Sequence, residues 1–169
     1  GLNVFNSRSL AYLKDKELES ACVSFELRFA QIRDLKKVLR AEAIVYGRLP
    51  LMITENCLVQ NETGCRLDRQ GPCVPEDGPC RCGQPNVLVD RTGAAFPLLP
   101  AYGHRTEIQN SKPLYLADRP EHRRLGLAYA RLRFTTETAE ECVSVVQNYL
   151  DAAPAAGDFT RGLYERGVE

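Results

Sequence analysis

Residues 21–47, "ACVSFELRFAQIRDLKKVLRAEAIVYG", decide how this chain folds. "ACVSFE" is a short apolar strand. "LRFAQIRDLKKVLR" follows with Phe29, Ile32, Leu35 and Leu39 on one helical face. "AEAIVYG" is another strand, closing on Gly47 and Arg48. Two strands joined by a helix read as a βα unit, which puts the strands in a parallel sheet.

The same unit recurs on both sides. Upstream, "LNVFN" is a strand and "SLAYLKDKEL" a helix with Leu10, Leu13 and Leu18 in helical spacing, capped by Ser7 or Ser9. Near the far end "LAYARLRF" is a strand and "TAEECVSVVQNYLDA" a helix, with Thr135 or Thr136 at its cap. Four parallel strands are half the complement of a (β/α)8 barrel, so the expected fold is α/β, a partial TIM-like barrel. The chain opens at Gly1 already inside a strand, which suggests one domain over residues 1–169 cut from a longer protein.

Between the third and fourth strands lies an insertion of roughly eighty residues, far longer than a connecting loop. Its distinctive part spans residues 54–112. There "NVLVDRTGAAFPLLP" makes a β-hairpin around a "DRTG" turn and "RTEIQN" a further short strand. "SKPLYLADRPEHRRLG" is a Pro-broken helical return, and "DFTRGLYERGVE" an irregular tail.

Apolar content of 44% and charged content of 26% are those of a globular domain. Lys+Arg and Asp+Glu balance at 22 each, so no global field attracts nucleic acid or anionic lipid. No apolar run nears the ~20 residues that span a bilayer, and no signal peptide leads the chain, so a cytoplasmic protein is expected.

Five of the seven cysteines, Cys57, Cys65, Cys73, Cys80 and Cys82, crowd into the insertion among Gly, Pro and charged residues. Disulfides need an oxidising compartment, and buried free thiols need apolar neighbours. Metal or iron–sulfur ligation suits this setting better, because Gly and Pro let a loop wrap closely around thiolate ligands. The spacing is not diagnostic: Cys80-Arg81-Cys82 is a CxC, and no CxxC occurs. His104, after the hairpin, is a candidate ligand, although a histidine there is ordinarily surface. Cys22 in a strand and Cys142 on a helix read as core packing. His122 reads as a solvated helical residue.

In a barrel, function gathers at the C-terminal ends of the strands. That nominates Asn6 and Ser7, Glu26, Arg48 and Arg133. Glu26 is a candidate general base or an ion-pair partner of Arg48, and Arg48 and Arg105 are candidates to hold a carboxylate or phosphate. No HExxH or GxSxG motif is present.

"GLNVFNSRSL", "YGRLPLMITENC", "LVDRTGAAFPLL", "HRTEIQNSKPLYLAD" and "TRGLYERGVE" together resemble the U-32 peptidase family, the collagenase-like proteins of bacteria and archaea. The resemblance places this chain in the later portion of the family's core domain. It implies a barrel-like fold and, in several branches, an iron–sulfur cluster serving oxygen-independent hydroxylation of ubiquinone precursors or of RNA bases; other members are described as peptidases. The implied ligands are Cys57, Cys65 and Cys80 or Cys82. The family's last cysteine is replaced here by His104, which opens a Cys3His site or zinc, with Cys73 as a substitute ligand. Glu26, Arg48 and Arg133 are the expected catalytic residues, and Asn6 and Arg105 the expected substrate contacts. The expected partners are the missing N-terminal half of the same protein or a second copy, with a protein or RNA substrate. A non-catalytic assembly module is the alternative for the fragment.

Overall fold

The computed structural model describes residues 3–63 and 84–166. Cys65, Cys73, Cys80 and Cys82 therefore lie outside the described residues. In chain order the elements are α1 (Ser7–Asp15), β1 (Ser20–Cys22), α2 (Phe29–Asp34), β2 (Arg40–Gly47), β3 (Pro50–Thr54), α3 (Leu58–Thr63) and β4 (Asn86–Val89). There follow β5 (Ala95–Ala101), β6 (Arg105–Gln109), β7 (Leu114–Tyr115), a 3-10 turn (Pro120–Arg124), β8 (Tyr129–Leu132) and α4 (Ala139–Asp151). They divide between two compact units, one of Gly1–Gly47 with Lys112–Glu169, the other of Arg48–Ser111.

The first unit is built on β2. Ala41, Ala43, Ile44, Val45, Tyr46 and Gly47 are all buried along it, as in a strand covered on both faces. β1 runs parallel to it with Ala21 opposite Ala41, and β8 runs parallel with Ala43 opposite Ala130. Val4 adds a parallel bridge to Val23, which among the described residues is all that forms of the expected first strand. β7 pairs antiparallel with Tyr46 and Gly47, so the sheet is mixed, and among the described residues it does not close into a barrel.

The helices match their expected places but not their expected limits. Asn6, not Ser7 or Ser9, caps α1: its Oδ1 accepts the Ser9 N–H at 3.0 Å. Ser7 Oγ instead accepts the Lys36 N–H at 2.8 Å. α2 stops at Asp34, six residues short of the predicted end at Arg40, because Leu35 turns extended. The Lys37 ammonium then folds back and donates to the carbonyls of Ile32 (2.6 Å) and Arg33 (3.3 Å), closing the helix end. α4 is capped by Thr138 rather than Thr135 or Thr136. Thr138 and Glu141 exchange reciprocal bonds, the Thr138 N–H donating to Glu141 Oε2 at 2.8 Å.

Tyr46, Tyr115, Ala117 and Val145 form a core cluster flanked by Phe134, Tyr149 and Phe159. The Tyr149 hydroxyl accepts the Leu116 N–H at 2.8 Å and donates to the Val45 carbonyl at 2.5 Å. The tail is irregular, as expected, yet it is part of the core. Tyr164 is 1% exposed, stacks on Phe29 at 5.3 Å and donates its hydroxyl to the Ile44 carbonyl at 2.6 Å. Arg161 forks onto Asp118 at 2.5 and 2.7 Å. His122, expected in solvent, is buried: the Pro-started 3-10 turn swings its ring beside Tyr149 while Nδ1–H donates to the Arg119 carbonyl.

The second unit is a four-stranded antiparallel sheet in the order β3-β6-β5-β4. β4 and β5 are the expected hairpin and β6 the expected short strand. The turn is fixed by Asp90, whose Oδ1 accepts the Thr92 N–H (2.7 Å) and the Ala94 N–H (3.0 Å). β3 carries the unit's limit back to residue 48, ahead of the expected boundary at 54. The two ends are stitched together: the Asn110 N–H donates to the Leu49 carbonyl at 2.8 Å. Arg48 Nη1 donates to the carbonyls of Asn110 (3.0 Å) and Ser111. Leu51, Met52 and Ile53 on one edge strand and Val87 and Val89 on the other are each more than half exposed.

Two stability predictions follow from the first unit. At Gly47 φ is +117°, and a Cβ there would stand 2.0 Å from the Arg133 carbonyl oxygen. Gly47→Ala is expected to cost about 3 kcal/mol or more in urea unfolding. Gly126→Ala, where the nearest obstacle is Lys37 Cδ at 3.9 Å, is expected to cost only about 1–2 kcal/mol.

Acid should unfold the unit in two steps. Burial holds the His122 imidazole below its ordinary value, so its contribution is full above about pH 6.5 and falls as the pH drops toward the folded value. The hydrogen bonds from Arg161 hold the Asp118 carboxyl below its ordinary range, so that contribution survives to about pH 4 and is lost as the pH falls through the lower folded value. Urea midpoints against pH should show both steps, and Asp118→Asn should shrink the lower one, to which Asp34 and Glu140, also held below their ordinary range, contribute.

Candidate functional site

One end of the antiparallel sheet gathers the chemistry. Thr54 at the end of β3 pairs with Thr106 near the start of β6. Beyond that pair, Arg105 Nε and Nη2 donate to Glu55 Oε2 at 3.1 and 2.9 Å, an exposed ion pair. Thr54 Oγ1 donates to the Asn56 carbonyl at 2.5 Å, which turns the chain toward Cys57.

Cys57 is 8% exposed and immediately precedes α3. Its carbonyl accepts the Asn61 N–H at 3.3 Å and its Sγ the Gln60 N–H at 3.4 Å. The Leu58 N–H, on the peptide that Cys57 begins, donates to Thr106 Oγ1 at 3.0 Å. A buried sulfur held as an acceptor of a backbone N–H is the arrangement that suits a thiolate ligand, and such bonds tune iron–sulfur potentials.

His104 lies at the same end, in the turn joining β5 to β6 (Ala101 pairs with Arg105). It holds φ +58° directly after Gly103 at +73°, a left-handed conformation uncommon for a non-glycine residue. The third feature is topological. α3 starts at this end, whereas β4, on the other edge of the sheet, opens with Asn86 opposite Leu98, midway along β5, and runs toward the hairpin turn at the far end. Cys65, Cys73, Cys80 and Cys82 fall in sequence between α3 and β4, in residues 64–83. Among the described residues no three His, Cys, Asp or Glu side chains come together as a metal site would require.

Of the other predicted residues, Asn6, Glu26 and Arg133 belong to the first unit. Asn6 spends its side-chain oxygen on the α1 cap. Glu26 is half-buried after β1, its N–H donating to Ser24 Oγ at 3.3 Å. Arg133, half-buried, follows β8, with its N–H donating to the Tyr46 carbonyl at 2.9 Å. Arg48 belongs to the second unit, where it clamps the ends of that unit. Arg105 does share the site's end, through Glu55.

Cys22 and Cys142 are half-buried. Burial, and next the Glu42 charge, push the Cys22 thiol up, away from the reactive thiolate. Sequence reading passed over Glu42, which accepts from Arg131 at 2.6 Å, and also Thr54 and Thr106. A threonine in a strand is ordinary, and only the register shows that two of them face each other.

A mixed α/β chain carrying a thiol-rich excursion from an antiparallel sheet is the class that fold and site define. The profile of peptidase family U32 matches residues 1–91, more than half the chain, and the chain belongs to that family. The match runs through the leading βα units, β3, Cys57 and the four cysteines to the hairpin turn. No curated protein and no solved structure matches the chain.

The capping role of Asn6 can be separated from substrate contact. Asn6→Ala is expected to cost about 1 kcal/mol of stability and Asn6→Asp to restore it, measured by thermal melting. A residue needed for substrate would instead lose activity in both variants.

Proposed function

We propose that this chain is part of a metal- or iron–sulfur-dependent enzyme of peptidase family U32, acting in redox modification such as hydroxylation. The observation that carries this reading is a buried Cys57 at the same sheet end as His104, at the head of the cysteine-rich stretch of sequence. Cys57, Cys65 and Cys80 or Cys82 hold the group, with His104 or Cys73 completing it. The bound group supplies electrons that side chains cannot. Cys57 contributes a buried thiolate on a rigid sheet, and Arg105 places a guanidinium at the same end, suited to a carboxylate or phosphate of a protein or RNA substrate. Reduced thiols require a reducing compartment, which favours the cytoplasm.

The parallel series of Val4, β1, β2 and β8 in chain order supports a half TIM-like barrel, completed by other strands of the same protein or by a second copy. Among the described residues no helix is long and apolar enough to cross a membrane.

The family's name favours a second reading, a collagenase-like peptidase. Metal analysis after anaerobic purification, run beside a gelatin cleavage assay, separates the two. Stoichiometric iron with sulfide, or zinc, lost by about tenfold or more in Cys57→Ser, is the expected result. Gelatin cleavage unchanged in Cys57→Ser, with no bound metal in the wild type, would establish the peptidase reading.

A further inference from the structure

We infer that α4 of one copy pairs with α1 of a second copy, an inference that rests on the reading of the first unit as a half barrel. In the parallel order of Val4, β1, β2 and β8, α1 follows the first member and α4 the last, so these are its two flanking helices. The strands beside them are open as well. Among the described residues β8 pairs with β2 alone and Val4 bridges Val23 alone, and an open sheet edge is a template for pairing.

α4 carries two apolar stripes where a surface helix needs one. Val145 and Tyr149 belong to the core cluster. Ala139, Val143, Val146 and Leu150 follow one another at spacings of four, three and four, the pattern of a seam between two helices. That seam lies roughly a quarter turn round the helix from the core stripe, on the flank where a neighbouring helix would stand. The described residues leave it uncovered, with Val143 71% and Leu150 70% exposed. Glu140 and Asp151 border the seam on its solvent side, and α4 holds Glu141 besides and no Lys or Arg. Such a face fits an apolar surface with a basic rim, and α1 presents one. Leu10 and Leu13 are buried, while Arg8, Tyr12 and Lys16 follow at spacings of four on the exposed side. The Tyr12 ring is 61% exposed, with the Lys16 ammonium 5.6 Å from its centre. Along α1 and its C-cap Arg8, Lys14 and Lys16 stand against Asp15 alone. Neighbouring helices of a barrel run the same way, so Glu140 falls near the partner's Arg8 and Asp151 near the partner's Lys16. Two copies related by a two-fold axis make this contact twice.

The test is light scattering of the whole 169-residue chain over a concentration series, where a species of twice the 18.9 kDa chain mass is expected. Leu150→Lys sets a cation against those of α1, and Tyr12→Glu an anion against those of α4. Each is expected to weaken association by about tenfold or more, and mixing the two variants to restore it. In the mixture one contact is native and the other joins the introduced lysine to the introduced glutamate. Should either variant fail to fold, Val143→Gln or Arg8→Glu takes its place, with loss of the dimer as the criterion. A wild-type chain that stays at 18.9 kDa overturns the inference and leaves barrel completion to other strands of the same protein. So does a dimer that survives both substitutions, which puts the contact elsewhere. A dimer lost in Leu150→Lys but intact in Tyr12→Glu means that α4 pairs with itself, and also overturns it. Hydrogen exchange of the β8 amides tests the half-barrel reading separately. Slow exchange in the wild-type dimer, lost in either variant, supports both levels. Fast exchange in a dimer that both variants break keeps the helix pairing and removes barrel closure by a second copy.

Discussion

Every strand of the first unit hydrogen-bonds to β2 or to a strand that does, so the geometry of that one strand constrains the unit. Its last residue makes the constraint plain. Gly47 leaves the sheet at φ +117° with the Arg133 carbonyl where a side chain would begin. The chain can place β8 beside β2 only because that position has no Cβ. The aromatic cluster of Tyr46, Tyr115 and Tyr149 then forms around the same strand end, with the Tyr149 hydroxyl bound to β2's own carbonyl. An apolar core and a polar backbone are satisfied together by tyrosines that carry both kinds of surface.

The second unit solves a different problem. Among its described residues few apolar side chains are buried, Leu49, Val59, Leu98 and Ile108 among them, and hydrogen bonds hold its corners. The Asp90 turn, the Thr54–Thr106 pairing and the Arg48 clamp each hold one corner of the sheet. Such a scaffold suits a ligand site, because directional bonds fix a backbone more finely than a small apolar core does.

Much of the fold was legible in the sequence where a period ran long enough. β2 and α4 are the clearest cases, and the hairpin was announced by Asp90 and Gly93. What was misread has physical causes. Helix caps depend on where the backbone turns, so Asn6 and Thr138 displaced serines and threonines that looked equally able. α2 ended early because the Lys37 ammonium satisfied its carbonyls, an interaction invisible to apolar spacing. β3 hid because an edge strand with apolar residues on both faces shows no alternation. His122 and Tyr164 sit in Pro- and Gly-rich stretches that read as surface, yet tertiary packing buries both. At the candidate site Cys57, His104 and Arg105 were legible as residue types, while Thr106 became visible only through the strand register.

The clamp at Arg48 has a consequence for how such a chain can diversify. The two ends of the second unit are joined by the Asn110–Leu49 bond and by one guanidinium gripping Asn110 and Ser111, so the unit begins and finishes at nearly one point. A segment with coincident ends can be lengthened, shortened or exchanged by recombination without altering the span it must bridge, at a loop-closure cost that grows only slowly with length. The Arg48–Ser111 unit is in that sense a cassette, and natural variation in chain length within the family should concentrate inside it and leave the β2–β8 pairing intact.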